Sequence, residues 1–428
     1  MKNELLEKAL QLIARKEYDK ALEYLDKVIE QNPSLYATWN DKGCILIALG
    51  RYEEALKCFD KVIELNPNYA RGWYNKGNAY ESMNKNEEAL NCYNMAIQLK
   101  PNNASYWHNK GYLLEKLERF EEAIECYDTA LKIDPRPDTY TNKGNILQKL
   151  GNFESAEECY DKAISMDSQY SRAWNEKGRL FAKQKRYDEA LKCCSRAIEL
   201  NPNCAEAWAN KGIILDELGH FSEALECYDR ATSLNPNLST IWYNKGIIYD
   251  YFEEYEKALE CYNKAIELNP DNPLAYNNKG VSLAKLGYDE EARDAFDKAL
   301  AIDPKYVDAW INKGNLLDEL MEHEQALEYY DRAISIDPEY PDAWYNKSVA
   351  LMRIERYEEA LKCIARCMEL KPDSPKIWYM KGMCHIKLGD YQEALKALKK
   401  HVEVSPQDET VEIALAIIEE IESHKNEK

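Results

Sequence analysis

The sequence predicts an all-α protein built from tandem antiparallel helix pairs, and three observations predict it. An aromatic residue recurs at Trp39, Trp73, Trp107, Tyr140, Trp174, Trp208, Trp242, Tyr276, Trp310, Trp344 and Trp378, 34 residues apart except for a 33-residue step after Trp107. A glycine stands four places after each aromatic, from Gly43 to Gly382, with Ser348 the departure, and an alanine stands sixteen places after it, from Ala55 to Ala394. A proline then closes each unit, as in Pro67, Pro101, Pro202 and Pro270, with Ser168 the exception.

Each element follows from this frame. Residues 2–35 carry Leu5 for the aromatic and Ala9 for the glycine, and read as an N-terminal capping unit. Units two to four occupy 36–136. In the third, Trp73, Gly77 and Tyr80 fall at i, i+4 and i+7 on one face of a helix, and a turn follows near Asn84–Asn86. Ala89, Tyr93 and Ala96 repeat the spacing on a second helix, which ends before Pro101 because proline cannot continue it. The small residues let the two helices approach while Trp73 and Tyr93 fill the remaining space. Units five and six, 137–204, hold an irregular junction: a residue is missing in DPRPD (134–138), and proline is lost at Ser168. A change of pitch or a hinge is expected there. Units seven to twelve span 205–408, and ETVEIALAIIEEIESHK predicts a C-terminal capping helix over 409–424.

This pattern at period 34 resembles the tetratricopeptide repeat, about twelve times over nearly the whole chain. The resemblance implies an α-solenoid, a right-handed superhelix of stacked helix pairs whose concave groove holds partners. Numbering slots 1 to 34 from Ala70 places Trp73 at slot 4. A helical wheel at 100° per residue then turns slots 4, 8 and 11 toward the partner helix and slots 3, 7, 10 and 14 toward the neighbouring repeat. Slots 2, 5, 9, 12 and 13 form the remaining face, which the resemblance makes the groove.

Slot 6, at the groove's edge, holds Asn75, Asn109, Asn142, Asn210, Asn244, Asn278, Asn312 and Asn346, and the run breaks at Glu176. An amide can pair with both C=O and N–H of an extended peptide without reading its side chains. A similar asparagine ladder lines the peptide-binding superhelix of O-linked N-acetylglucosamine transferases, so the resemblance implies peptide binding for these residues. The other reading is that the amides cap or bridge adjacent helices. Lysine fills slot 7 in eleven units, from Lys42 to Lys381; a stem buried between repeats, with its ammonium reaching an aspartate such as Asp128 or Asp229, is one reading, and a ladder for phosphate or carboxylate is the other. The carboxylate clamp of chaperone-binding relatives needs lysine at slot 5 and arginine at slot 6, and neither occurs.

Charge along the expected groove is uneven. Units three to six hold Arg71, Lys116, Lys149, Arg172, Arg179 and Lys183 against Glu81, Glu115 and Asp138. Units seven to eleven hold Glu206, Asp216, Glu217, Asp250, Asp308, Asp318, Glu319 and Asp342 against Lys285 and Arg353, with Tyr243, Ile247, Tyr251, Val281 and Tyr345 among them. Tyr74 joins the lining in the third unit. The acidic stretch suits a basic segment with apolar anchors, and equally a solvated face.

A net charge of −20 argues against general nucleic-acid binding. Thirteen cysteines without a secretion signal, and no apolar run of membrane-spanning length, predict a cytoplasmic, unanchored chain with reduced thiols. Eight of them, Cys58, Cys92, Cys126, Cys159, Cys193, Cys227, Cys261 and Cys363, share slot 23, which reads as packing. Cys363, Cys367, Cys384, His385 and His401 form the one candidate metal cluster, with His385 and His401 expected to face each other; core filling is the stronger reading. No nucleotide-binding loop, zinc-protease motif or nucleophile elbow occurs. The expectation is therefore a non-enzymatic scaffold without cofactors that binds an extended peptide or partner protein. The alternatives are a regulatory or substrate-recruiting subunit of a separate enzyme, a glycosyltransferase first, and a self-associating repeat protein.

Overall fold

The computed structural model describes residues 2–372, 374–404, 406–407 and 409–426. Twenty-five helices and no strand occur among them, and none of these helices is long and apolar enough to cross a membrane. From the second unit onward each repeat has a first helix of 13 residues, such as Ala70–Ser82, and a second of 14, such as Asn86–Leu99. The residue missing near Asp134 falls in a loop: three residues separate Phe120–Ile133 from Pro137–Lys149, where four separate Asn86–Leu99 from Ala104–Lys116. The C-terminal helix runs Val411–Asn426, with Ala414 and Ile418 packed on Leu395 and Leu398; residue 408, where the twelfth unit was expected to end, lies outside the described residues.

The turn inside a repeat is closed by backbone geometry. Slot 15 adopts positive φ in unit after unit, as at Gly50 (73°), Asn84 (57°) and Met321 (65°). The left-handed residue lets the next N–H reach back, as from Lys85 to the Tyr80 carbonyl at 2.9 Å, and satisfies carbonyls that the helix end leaves open.

The repeat signature acts by packing. A Cβ on Gly77 would stand 2.7 Å from the Tyr93 ring, and one on Gly43 2.6 Å from Phe59, so slot 8 is glycine because slot 24 of the same repeat is large. Ser348 is the departure, opposite Ile364 in its slot 24; glycine persists opposite Cys194 at Gly178 and opposite Leu398 at Gly382, where an added Cβ would stand 2.6 and 2.7 Å away. The tryptophan indole N–H at slot 4 donates to the carbonyl six residues earlier: Trp73 to Pro67 at 3.0 Å, and Trp174 to Ser168 at 3.1 Å. Losing the proline at Ser168 therefore leaves this hydrogen bond in place.

The slot 7 lysines sort by one neighbour. Where slot 25 of the preceding repeat is aspartate, an ion pair crosses the repeat boundary: Lys42–Asp26, Lys143–Asp128, Lys177–Asp161 and Lys245–Asp229 at 2.5 Å, Lys76–Asp60 at 2.6 Å, and likewise Lys313–Asp297 and Lys347–Asp331. For Lys110, Lys211, Lys279 and Lys381 that slot holds Asn94, Ser195, Asn263 and Ala365, none of them an acid. The snorkelling geometry read from the sequence thus extends to seven of the eleven.

The chain forms two compact units, Met1–His220 and Phe221–Lys428. The first holds 35 acidic and 31 basic residues, a net −4; the second holds 41 and 25, a net −16.

Candidate partner-binding face

The slot 6 asparagines join repeats. Asn75 Nδ2 donates to Asn40 Oδ1 at 2.8 Å, Asn109 to the Tyr74 phenol at 2.7 Å, Asn210 to Asn175 at 2.9 Å, Asn278 to the Tyr243 phenol at 3.3 Å and Asn312 to Asn277 at 3.0 Å. Each bond runs from slot 6 to slot 5 of the repeat before, because a step of 35 residues sets these two positions side by side. Asn244 donates instead to the Tyr228 phenol at 3.4 Å, and Asn142 Oδ1 accepts from Arg172 at 2.9 Å. Asn75 and Asn142 are buried, while the other six are half-buried. Asn346 and Tyr345 line a cleft of about 270 Å³ with Asn315, Asp318, Glu319 and Arg353. The amide nitrogens are thus largely committed between repeats, and the oxygens of Asn142 and Asn278 are engaged as well, by Arg172 and by Asn277 Nδ2 at 3.1 Å.

Slot 12 is less open than the wheel suggested. Asp250 accepts from the Tyr262 phenol at 2.5 Å and from Ser282 Oγ at 2.6 Å, and burial holds its carboxyl above the usual carboxylate range. Asp318 is only 5% exposed; it lies 2.6 Å from His323 Nδ1 and pairs with Arg353. Expected as groove acids, these two carboxylates are struts: within its own repeat Asp250 leans on the slot 24 tyrosine and Asp318 on His323, and both reach the next repeat, through Ser282 and Arg353. Glu81 and Glu115 behave alike, receiving Tyr93 and Tyr127 from within and Lys116 (3.2 Å) and Lys149 (3.3 Å) from the following repeat. The sequence carried a signal for this, since Glu81–Lys116 and Asp318–Arg353 both stand 35 residues apart, with acid at slot 12 and base at slot 13 of the next unit.

In the second unit, apolar and acidic side chains stay open. Tyr251 is 66% exposed and Ile247 39% exposed, on the helix Ser239–Tyr251. The Tyr251 ring lies 4.5 Å from Phe221 and 5.5 Å from Phe252, tilted and edge-on respectively, in an aromatic cluster whose two phenylalanines the groove assignment did not include. Glu319 is exposed in the second unit, as is Glu217 in the first, where Asp216 is half-buried. Among the basic slots of the first unit, Arg172 reaches Asn142 and Arg179 pairs with Glu176 at 2.6 Å.

The thiols are packing groups, with burial pushing Cys58, Cys92, Cys126, Cys193 and Cys261 up to about 11. The five candidate metal ligands are not gathered: among the described residues no three His, Cys, Asp or Glu side chains converge as a metal site. His401 packs 5.4 Å from the Tyr379 ring and lies 2.9 Å from Thr410 Oγ1, whereas His385 sits 3.5 Å from Asp390.

Family models described as tetratricopeptide repeat match residues 70–103, 104–137, 137–170, 171–204, 205–238, 239–272 and 307–340, and further models of that description match 5–34, 24–57, 273–306, 329–362 and 347–419. No curated protein matches the sequence. Among solved structures, the APC/C hetero-tetramer Cut9–Hcn1 is similar at 14% identity and a TM-score of 0.50, covering 98% of this chain and 96% of that one. Yeast Tom70 is similar at 17% identity and a TM-score of 0.43 over 99% and 96%, and MamA at 25% and 0.36 over 40% and 92%. The first of these shares the fold of paired helices. With one family model repeated over more than half of its length, on the helix pairs that the structure lays out, the chain belongs to the tetratricopeptide repeat family.

Proposed function

We propose that the chain is a non-enzymatic scaffold in the cytoplasm whose second unit holds an extended basic segment carrying apolar anchors. Repeats of this family support a protein-interaction scaffold in general, and the fold is typically a non-catalytic one. The observation that carries the finer reading is the exposure of Ile247 and Tyr251 together on a first-helix face, in a unit of net −16. A large exposed aromatic beside an aliphatic residue is the composition of an interface centre, and surrounding acid steers a basic partner toward it. In this reading the amide oxygens of Asn244 and Asn312 accept backbone N–H groups of the bound segment.

The test uses a synthetic peptide alternating lysine and leucine, titrated into the full chain by calorimetry. Tyr251→Ala combined with Ile247→Ala is expected to weaken binding at least tenfold with helicity unchanged, and Glu319→Lys to weaken it less. Equal affinity in wild type and the double variant refutes the assignment.

A further inference from the structure

The loop that joins one repeat to the next has a standard opening. Slot 31 is Asn or Asp at Asn32, Asn66, Asp134, Asp167, Asn201, Asn235, Asn269, Asp303 and Asp337. Its side-chain oxygen typically accepts the N–H two residues on, at 3.2 Å from Asn66 to Asn68 and 2.9 Å from Asp303 to Lys305, which is an Asx turn. Two loops depart from this, with Lys100 in the first unit and Lys371 in the second.

Both departures line a cleft, at the same register of the repeat. In the second unit the cleft is small, about 200 Å³, and Lys371 Nζ lies 3.2 Å from Asp342 at slot 2. In the first unit slot 2 is Arg71. That cleft measures about 620 Å³ and is lined by Arg71, Lys100, Tyr69, Tyr74 and Tyr106, with no carboxylate in its wall. Lys100 therefore has neither the Asx turn of the other loops nor the aspartate that answers Lys371. Arg71 makes no salt bridge among the described residues; Asp41 feels its charge from outside the lining. Two cations and three phenol-bearing rings converge here in a chain of net −20.

We propose that this cleft binds an acidic segment of a partner protein, a reading that rests on the scaffold function above but concerns the other unit and the opposite charge. An Asp or Glu carboxylate takes the place that Asp342 fills in the second unit: the Arg71 guanidinium holds it in a two-toothed grip and Lys100 adds a point charge. The neighbouring side chain of the segment packs on the half-buried ring of Tyr69.

The experiment titrates a fluorescent peptide of alternating glutamate and tryptophan into the full chain at low salt. Arg71→Asp rebuilds the arrangement of Asp342 and Lys371, and Lys100→Asn restores the Asx turn, so each variant has a precedent within the chain for folding. Each is expected to weaken binding at least tenfold, while Lys57→Asp, a charge reversal elsewhere in the same unit, leaves it unchanged. Unaltered binding in both cleft variants, an equal loss with Lys57→Asp, or displacement by inorganic phosphate at concentrations matching the peptide overturns the proposal. Tyr251→Ala separates the two readings: if it abolishes capture of the basic peptide and spares this one, the sites are distinct, and if the lysine–leucine peptide never binds while this one does, only the earlier reading falls.

Discussion

Glycine at slot 8 and the large residue at slot 24 form one steric unit, so their substitutions are coupled. A Cβ at Gly314 would stand 2.6 Å from the Tyr330 ring, whose phenol is held by Asn315 Oδ1 at 2.8 Å and cannot simply swing away. Gly314→Ala is expected to cost about 1–3 kcal/mol of local stability, the usual range for overpacking. In the background Tyr330→Ile, which copies the pairing of Ser348 with Ile364, the same change costs markedly less; hydrogen exchange of the helices Val307–Glu319 and His323–Ile336 reads the difference. The buried thiols give a second residue-scale test. With Cys58, Cys92 and Cys126 pushed up to about 11 by burial, almost no thiolate exists at pH 7.5, so iodoacetamide should label them only after denaturation. Rapid labelling in the folded chain, read by peptide mass, contradicts their packing role.

Between elements, the lysine–aspartate rung is the interaction most easily edited. Lys279 lacks an aspartate because slot 25 before it is Asn263, and burial, reinforced by the charge of Lys298, holds its ammonium below the ordinary lysine range. A lysine depressed on folding binds its proton less firmly in the native state. Its cost is therefore fully present at neutral pH and fades as pH rises through its folded value toward about 10.4. Asn263→Asp supplies the partner seen at Lys245 and Asp229, and should raise stability near pH 7 by up to about 1 kcal/mol, discounted for the exposed carboxylate. That gain should disappear as pH climbs through the newly raised lysine value, which melting curves at pH 7 and pH 11 would show. Elements of this kind were legible in the sequence because the period exposes them: Trp73, Gly77 and Tyr93 had to pack, and Lys245 had to find Asp229. The struts were not. A wheel drawn on one helix turns Asp250 and Asp318 outward, and only the neighbouring repeat, with Ser282 and Arg353, turns them into internal groups. Slot 6 shows the same limit, since the bond from Asn312 to Asn277 depends on the stacking of two repeats and not on either helix alone.

Over the whole molecule, charge is distributed unit by unit, net −4 in the first and net −16 in the second, although both are built of the same repeat. Packing slots recur almost unchanged while the exposed slots diverge, so the units share a fold and differ in the field they present. That difference makes ionic strength a probe of where a ligand sits. The Debye length shrinks from about 10 Å at 0.1 M salt to about 3 Å at 1 M, which removes the long-range field of an acidic unit and leaves direct apolar contacts. Capture of the lysine–leucine peptide should therefore weaken at least tenfold across that range, yet a remnant should survive that depends on Tyr251 and Ile247. If the affinity is flat with salt, the acidity of the second unit contributes nothing to recognition; if binding vanishes at high salt in wild type and Tyr251→Ala alike, the aromatic face is not part of the interface.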